Sequence, residues 1–185
     1  MKKAVFLDID GTINIEKNYL YKISDFEYMP GVMEGLKLFL DQGYILIVVT
    51  NQSGIARGYY TEQDYYNLER WMEEDLERKG ITISGSYFCP HHPDAIIKKY
   101  AVNCDCRKPK TGLYKKAISD FDINVSESIV IGNEMRDLAL CMESEAKGFL
   151  LSDKYILHES NIIQFDDWFK LNAFLKDFYN GSKNS

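Results

Sequence analysis

The stretch Ala4-Val-Phe-Leu-Asp8-Ile-Asp-Gly-Thr12 decides how the chain is read. Its first half is apolar without alternation, the pattern of a central parallel strand covered on both faces. At its end the period of two places Asp8 and Asp10 on one side and Ile9 on the other. Gly11 then permits a sharp turn. Two carboxyl groups at a strand end suit phosphoryl transfer, one attacking phosphorus and the other moving the proton. They equally suit a plain turn, whose main chain they would cap.

Outward from this stretch, short β-rich runs alternate with amphipathic ones. Val32, Leu36, Phe39 and Leu40 share one side of a helix over 31–42, and Gly43 stops it. Tyr44 to Thr50 reads as a second buried strand. Thr61 with Asp64 forms a capping signal, followed at helical spacing by Tyr65, Leu68, Met72 and Leu76 up to Gly80. A third strand is expected around 86–89, a helix over 112–121, a fourth strand over 127–132, a helix over 135–143 and a fifth strand over 148–151. The aromatic tail from Phe165 to Tyr179 predicts a last helix, with a frayed polar end after Asn180. The alternation predicts an α/β fold, a Rossmann-like parallel sheet with helices on both faces.

The chain has 185 residues, 45% of them hydrophobic, which suits one domain over 1–185. Acidic residues outnumber basic ones, 28 to 22, for a net charge of -6 that repels a nucleic acid backbone. The N-terminal apolar run is too short for a signal peptide core, and no stretch reaches transmembrane length. A cytoplasmic monomer acting on a small phosphorylated metabolite, with neither nucleic acid nor membrane as partner, is the expectation.

In an open α/β sheet, ligands bind beyond the carboxyl ends of the strands. Strand two ends in Thr50-Asn51, whose hydroxyl and amide can bond phosphate oxygens without adding negative charge. Arg107-Lys108 offers fixed cations, although a basic pair alone is commonly a solvated surface. Strand four ends in Gly132-Asn133-Glu134-Met135-Arg136-Asp137, with oxygen ligands for an octahedral magnesium, or simple helix caps at Asn133 and Asp137. Cys89-Pro-His91 and Cys104-Asp-Cys106 have the paired spacing of a closed zinc site in a loop over about 89–106. His92 competes with His91 as the imidazole ligand, the alternate spacing favouring His91. Cys141 reads as an inert core thiol, and His158 as a surface residue.

Together these motifs resemble the haloacid dehalogenase superfamily of phosphohydrolases, over about the whole chain. The resemblance implies a fold without a large cap domain. It implies that Asp8 is the nucleophile and a magnesium ligand, and that Asp10 is the general acid/base and lends its main-chain carbonyl to the metal. Thr50 and Lys108 would hold the phosphate, and Asn133 would complete the magnesium site. Three further segments, Thr50-Asn-Gln-Ser-Gly-Ile-Ala-Arg-Gly58, Cys89-Pro-His-His92 and Cys104-Asp-Cys-Arg-Lys-Pro109, resemble the heptose bisphosphate phosphatases. So does the segment from Asn14 to Met29. That family implies removal of the C7 phosphate of D-glycero-D-manno-heptose 1,7-bisphosphate in nucleotide-heptose biosynthesis for a bacterial surface glycan. Asn51 would assist on the substrate side, and Gln52, Ser53, Arg57 and Arg107 would contact the sugar or its distal phosphate. The related histidinol-phosphate phosphatases share the zinc loop, so another small monoester is the alternative. The chain departs from the family pattern at Asn133 (commonly Asp), Glu134 (commonly Lys) and Ile9 (commonly Arg). The first two departures also suggest a catalytically weak sugar-phosphate-binding relative.

Overall fold

The computed structural model describes residues 1–181, and the part of the polar tail over 182–185 lies outside them. The described residues form a six-stranded sheet in the order β3-β2-β1-β4-β5-β6, with β1 Ala4–Leu7 at its centre. The other strands are β2 Ile45–Asn51, β3 Ile83–Cys89, β4 Ile129–Gly132, β5 Lys147–Leu151 and β6 Ile162–Phe165. Every neighbouring pair is parallel.

Alternation along the strands divides the core in two. Val5, Leu7, Leu46 and Val48 face a cluster closed by helices α1 Val32–Asp41, α3 Glu62–Arg78 and α6 Trp168–Gly181. Ala4, Phe6, Ile47 and Val49 face a second cluster, closed by α4 Gly112–Phe121 and α5 Ala139–Glu143. The short α2 Ser53–Ala56 follows β2 directly. The start of α3 is fixed by a capping box. The Thr61 hydroxyl accepts the Asp64 amide at 3.1 Å, and the Asp64 carboxylate accepts the Thr61 amide at 2.8 Å. Among the described residues no helix is long and apolar enough to cross a membrane.

Several boundaries differ from the sequence reading. Phe165 ends an edge strand instead of opening the last helix, because Ile162 to Phe165 pair with Gly148 to Leu151. The Asp167 carboxylate then accepts the Lys170 amide at 2.9 Å, so the helix begins at Trp168. The aromatic periodicity ran through a strand and a cap without a break to reveal them. β3 starts at Ile83, and the segment from Met135 begins as a tight 3₁₀ turn over Met135–Leu138 before α5.

Candidate active site

β1 delivers Asp8 and Asp10 to the carboxyl edge of the sheet, where β2, β4 and the loops after them converge. Gly11 has φ +79°, and a Cβ there would lie 2.2 Å from the Asn133 amide nitrogen. Glycine is therefore required twice, for the turn and for the close approach of the loop after β4. From the far side, the Trp168 indole N–H donates to the Thr12 carbonyl at 2.7 Å, tying the first loop to α6.

Lys108 is the centre of the constellation. Its side chain is 1% exposed, and its Nζ donates to Asp8 Oδ1 at 2.7 Å and to the Val49 carbonyl at 2.8 Å. It also lies 2.8 Å from Asp137 Oδ1. Asn51 holds this lysine by its main chain, accepting the Lys108 amide at 3.0 Å and donating to the Lys108 carbonyl at 3.1 Å. The amide that sequence reasoning assigned to substrate is therefore engaged in fixing Lys108. Gln52 is likewise buried and engaged. It donates to Asp10 Oδ2 at 3.2 Å and Thr50 Oγ1 at 3.0 Å, and accepts the Tyr60 hydroxyl at 2.5 Å.

The acidic cluster carries more negative charge than Lys108 offsets. Burial pushes the Asp8 carboxyl up to about 7, the Lys108 cation opposes this, and the neighbouring Asp137 and Asp10 carboxylates add to it. Burial also raises Asp10, against the hydrogen bonds from Asn14 and Gln52. Three converging carboxyl groups with one lysine are a donor set that fits a hard divalent cation. Asn133, in the loop after β4, lies against Gly11 in the loop after β1.

Asp8, Asp10, Glu16 and Asp137 line a cleft of about 320 Å³ together with Ser53, Arg57, Arg107 and Arg136. Thr50 and Lys108 are buried and do not line it. Glu134, one of the departures from the family pattern, is not on the cleft wall either. Its carboxylate accepts the Tyr155 hydroxyl and forms a reciprocal cap with Asp137, whose Oδ2 accepts the Glu134 amide at 3.0 Å. Two residues further on, Arg136 presents a cation to the cleft. Sequence reasoning missed Arg136, Tyr60 and Tyr19 as cleft residues. Asn18 and Tyr19 hold φ +44° and +63°, a left-handed turn that Asn18 favours and that the Tyr19 side chain does not.

On the neighbouring loop, ligand atoms of Cys89, His91, Cys104 and Cys106 all lie within 4.8 Å of one another. The Cys89 and Cys104 sulfurs are 3.7 Å apart, and Cys89 Sγ is 3.6 Å from His91 Nδ1. Separations of this size are edges of a small tetrahedron, and three thiols with one imidazole fit zinc in a closed structural site. His91 is the imidazole in the cluster, and His92 points to Arg57 instead. Elemental analysis of extensively dialysed protein is expected to find one zinc per chain. Reduced, zinc-free protein that keeps its fold would contradict this.

A lysine clamped between carboxylates at the carboxyl edge of a parallel sheet, with no large cap over it among the described residues, defines a haloacid dehalogenase-type phosphatase. The chain belongs to the family described as polynucleotide kinase 3 phosphatase, whose sequence pattern matches residues 3–165. A D-glycero-beta-D-manno-heptose-1,7-bisphosphate 7-phosphatase of Haemophilus ducreyi is 47% identical over 138 residues, 74% of this chain and 75% of that protein. A D-glycero-alpha-D-manno-heptose-1,7-bisphosphate 7-phosphatase of Photorhabdus laumondii is 46% identical over 136 residues, 74% of each chain. The D,D-heptose 1,7-bisphosphate phosphatase of B. bronchiseptica, solved with magnesium and phosphate, superposes with a TM-score of 0.78. That match covers 96% of this chain and 99% of the other at 23% identity, and speaks for the fold.

Proposed function

We propose that the protein is a magnesium-dependent phosphomonoesterase that removes the C7 phosphate of D-glycero-D-manno-heptose 1,7-bisphosphate through an aspartyl-phosphate on Asp8. The observation that carries this is the cleft itself, in which carboxylates braced by Lys108 share one small volume with three guanidinium groups. Such a cleft suits a substrate with one phosphate to be transferred and a second to be held. The names of the relatives support the heptose. A single-domain, cytoplasmic monomer acting on a small metabolite fits the net charge of -6 better than a nucleic acid phosphatase does.

In this reading an Asp8 oxygen attacks phosphorus, the bond from phosphorus to O7 breaks, and Asp10 gives its proton to the leaving oxygen. Asp10 then takes a proton from water, which attacks the acyl phosphate, releasing phosphate and regenerating Asp8. The raised Asp10 carboxyl suits the donor step. Lys108, bonded to Asp8 from behind the cleft, offsets charge developing on the transferring group, and Thr50 supports Gln52 beside Asp10. Magnesium, when bound by Asp8, the Asp10 carbonyl and Asn133, would supply charge neutralisation at the phosphoryl oxygens.

A phosphate-release screen over sugar phosphates with magnesium tests the reading. Heptose 1,7-bisphosphate should be turned over far faster than histidinol phosphate. Preference for histidinol phosphate, or binding without turnover, would overturn it. Asn133 offers magnesium a neutral oxygen where a carboxylate would add charge. A charge-assisted contact is worth about 1.5 to 3 kcal/mol, so Asn133→Asp should tighten magnesium about 10- to 100-fold. Calorimetric titration of magnesium checks this, and equal affinities would remove Asn133 from the ligand set.

A further inference from the structure

The cleft lining contains a donor mismatch at Arg57 and His92. The Asp94 main-chain N–H donates to His92 Nδ1 at 3.1 Å, so the neutral ring carries its proton on Nε2. Arg57 Nη2 lies 3.2 Å from that same Nε2. A guanidinium nitrogen only donates. Two N–H donors therefore face each other at hydrogen-bond distance with no acceptor between them. Arg57 Nε, in addition, is buried and has no hydrogen-bond partner among the described residues. Buried donors are rarely left unpaired, and their clustering in a cleft points to an absent acceptor.

The surroundings hold these donors in place. The Arg57 guanidinium lies 6.0 Å from the centre of the Tyr19 ring, which packs on Tyr59 at 4.6 Å. Tyr19 holds φ +63° to sit there, a strained conformation of the kind that persists at binding sites. Arg107 is anchored by donating to the His91 carbonyl at 3.1 Å and adds a second cation. Both guanidiniums and His92 line the cleft. An oxygen placed between Nε2–H and Nη2–H accepts from both and turns the mismatch into two hydrogen bonds.

We propose that His92 is a specificity-determining residue, whose Nε2–H and the Arg57 guanidinium together bind an oxygen of the substrate's non-reacting phosphate. The inference rests on the reading of the substrate as a bisphosphate. It assigns His92, which the zinc cluster leaves unused, to the distal anion rather than to metal binding or to the reacting centre.

The test compares heptose 1,7-bisphosphate with heptose 7-phosphate, the same sugar without the second phosphate. His92→Asn retains a side chain able to accept the Asp94 amide but lacks the Nε2–H. His92→Gln restores an N–H near the Nε2 position. KM for the bisphosphate should rise about 10- to 100-fold in H92N, the scale of one charge-assisted hydrogen bond, with kcat and the monophosphate KM unchanged. H92Q should recover most of the loss, and zinc content should match the wild type in both. An unchanged bisphosphate KM, or an equal rise on both substrates, would overturn the assignment of His92. If the wild type itself makes no distinction between the two substrates, the bisphosphate reading fails and this inference with it. A wild type that discriminates beside an H92N that discriminates equally sinks this inference alone. On the unmodified protein, nitrogen NMR should find the Nε2–H tautomer of His92. The Nδ1–H tautomer would remove the mismatch and the proposal.

Discussion

Asp8→Asn is expected to bring phosphate release down to the uncatalysed background. An amide cannot take the place of a carboxylate as the nucleophile, so no acyl phosphate forms. The loss should not come from unfolding. Lys108 would keep the Asp137 carboxylate at 2.8 Å and the Val49 carbonyl at 2.8 Å, and would lose only one of two anionic partners. One buried carboxylate fewer also relieves the repulsion that, with burial, lifts Asp8 to about 7. Circular dichroism and a denaturation midpoint at or above that of the wild type would accompany the lost activity. A phosphate-release rate near the wild-type value would remove Asp8 from the reaction.

Lys108→Met should be the most destabilising single change at the site. The substitution roughly conserves length and removes the cation that faces Asp8 and Asp137, leaving two buried carboxylates without it. Breaking a buried pair in this way costs about 3 to 5 kcal/mol. Burial already raises Asp8 above its ordinary 3.8 to about 7 in the metal-free protein. A folded-state carboxyl raised in this way stabilises the fold fully below pH 3.8, and that contribution is lost as pH rises toward 7. In Lys108→Met, where the cation that lowers Asp8 is gone, the loss should run on to pH above 7, and added magnesium should recover part of it. Urea midpoints measured with pH and magnesium varied check both signs. A midpoint equal to that of the wild type at neutral pH would show that Lys108 does not hold these carboxylates.

Much of this site was legible because its chemistry sits next to recognisable strand ends. Asp8, Asp10, Thr50 and Lys108 could be gathered from the sequence because a parallel sheet brings successive strand ends to one edge. The zinc-type cluster was readable from spacing alone, since two short-range pairs need only one loop to meet. What escaped depends on side-chain direction. Glu134 and Arg136 are two residues apart in a 3₁₀ turn, and which of them meets the cleft follows from Glu134 bonding to Tyr155 and capping Asp137. Asn51 and Gln52 line the cleft as the strand end suggested, but their bonds to the Lys108 main chain and to Asp10 could not be read from the sequence. β6 was hidden for a similar reason, its aromatic and aliphatic residues falling in phase with the helix that follows.

The central claim is the covalent step on Asp8. Protein mixed with heptose 1,7-bisphosphate and magnesium, quenched in acid within one turnover, should carry one phosphoryl group on the peptide containing Asp8. The adduct should accumulate in Asp10→Asn, where its hydrolysis is slowed by about 10²- to 10⁴-fold. Phosphate released in the first turnover with no phosphoryl group on the protein, or with the group on another residue, would contradict the account.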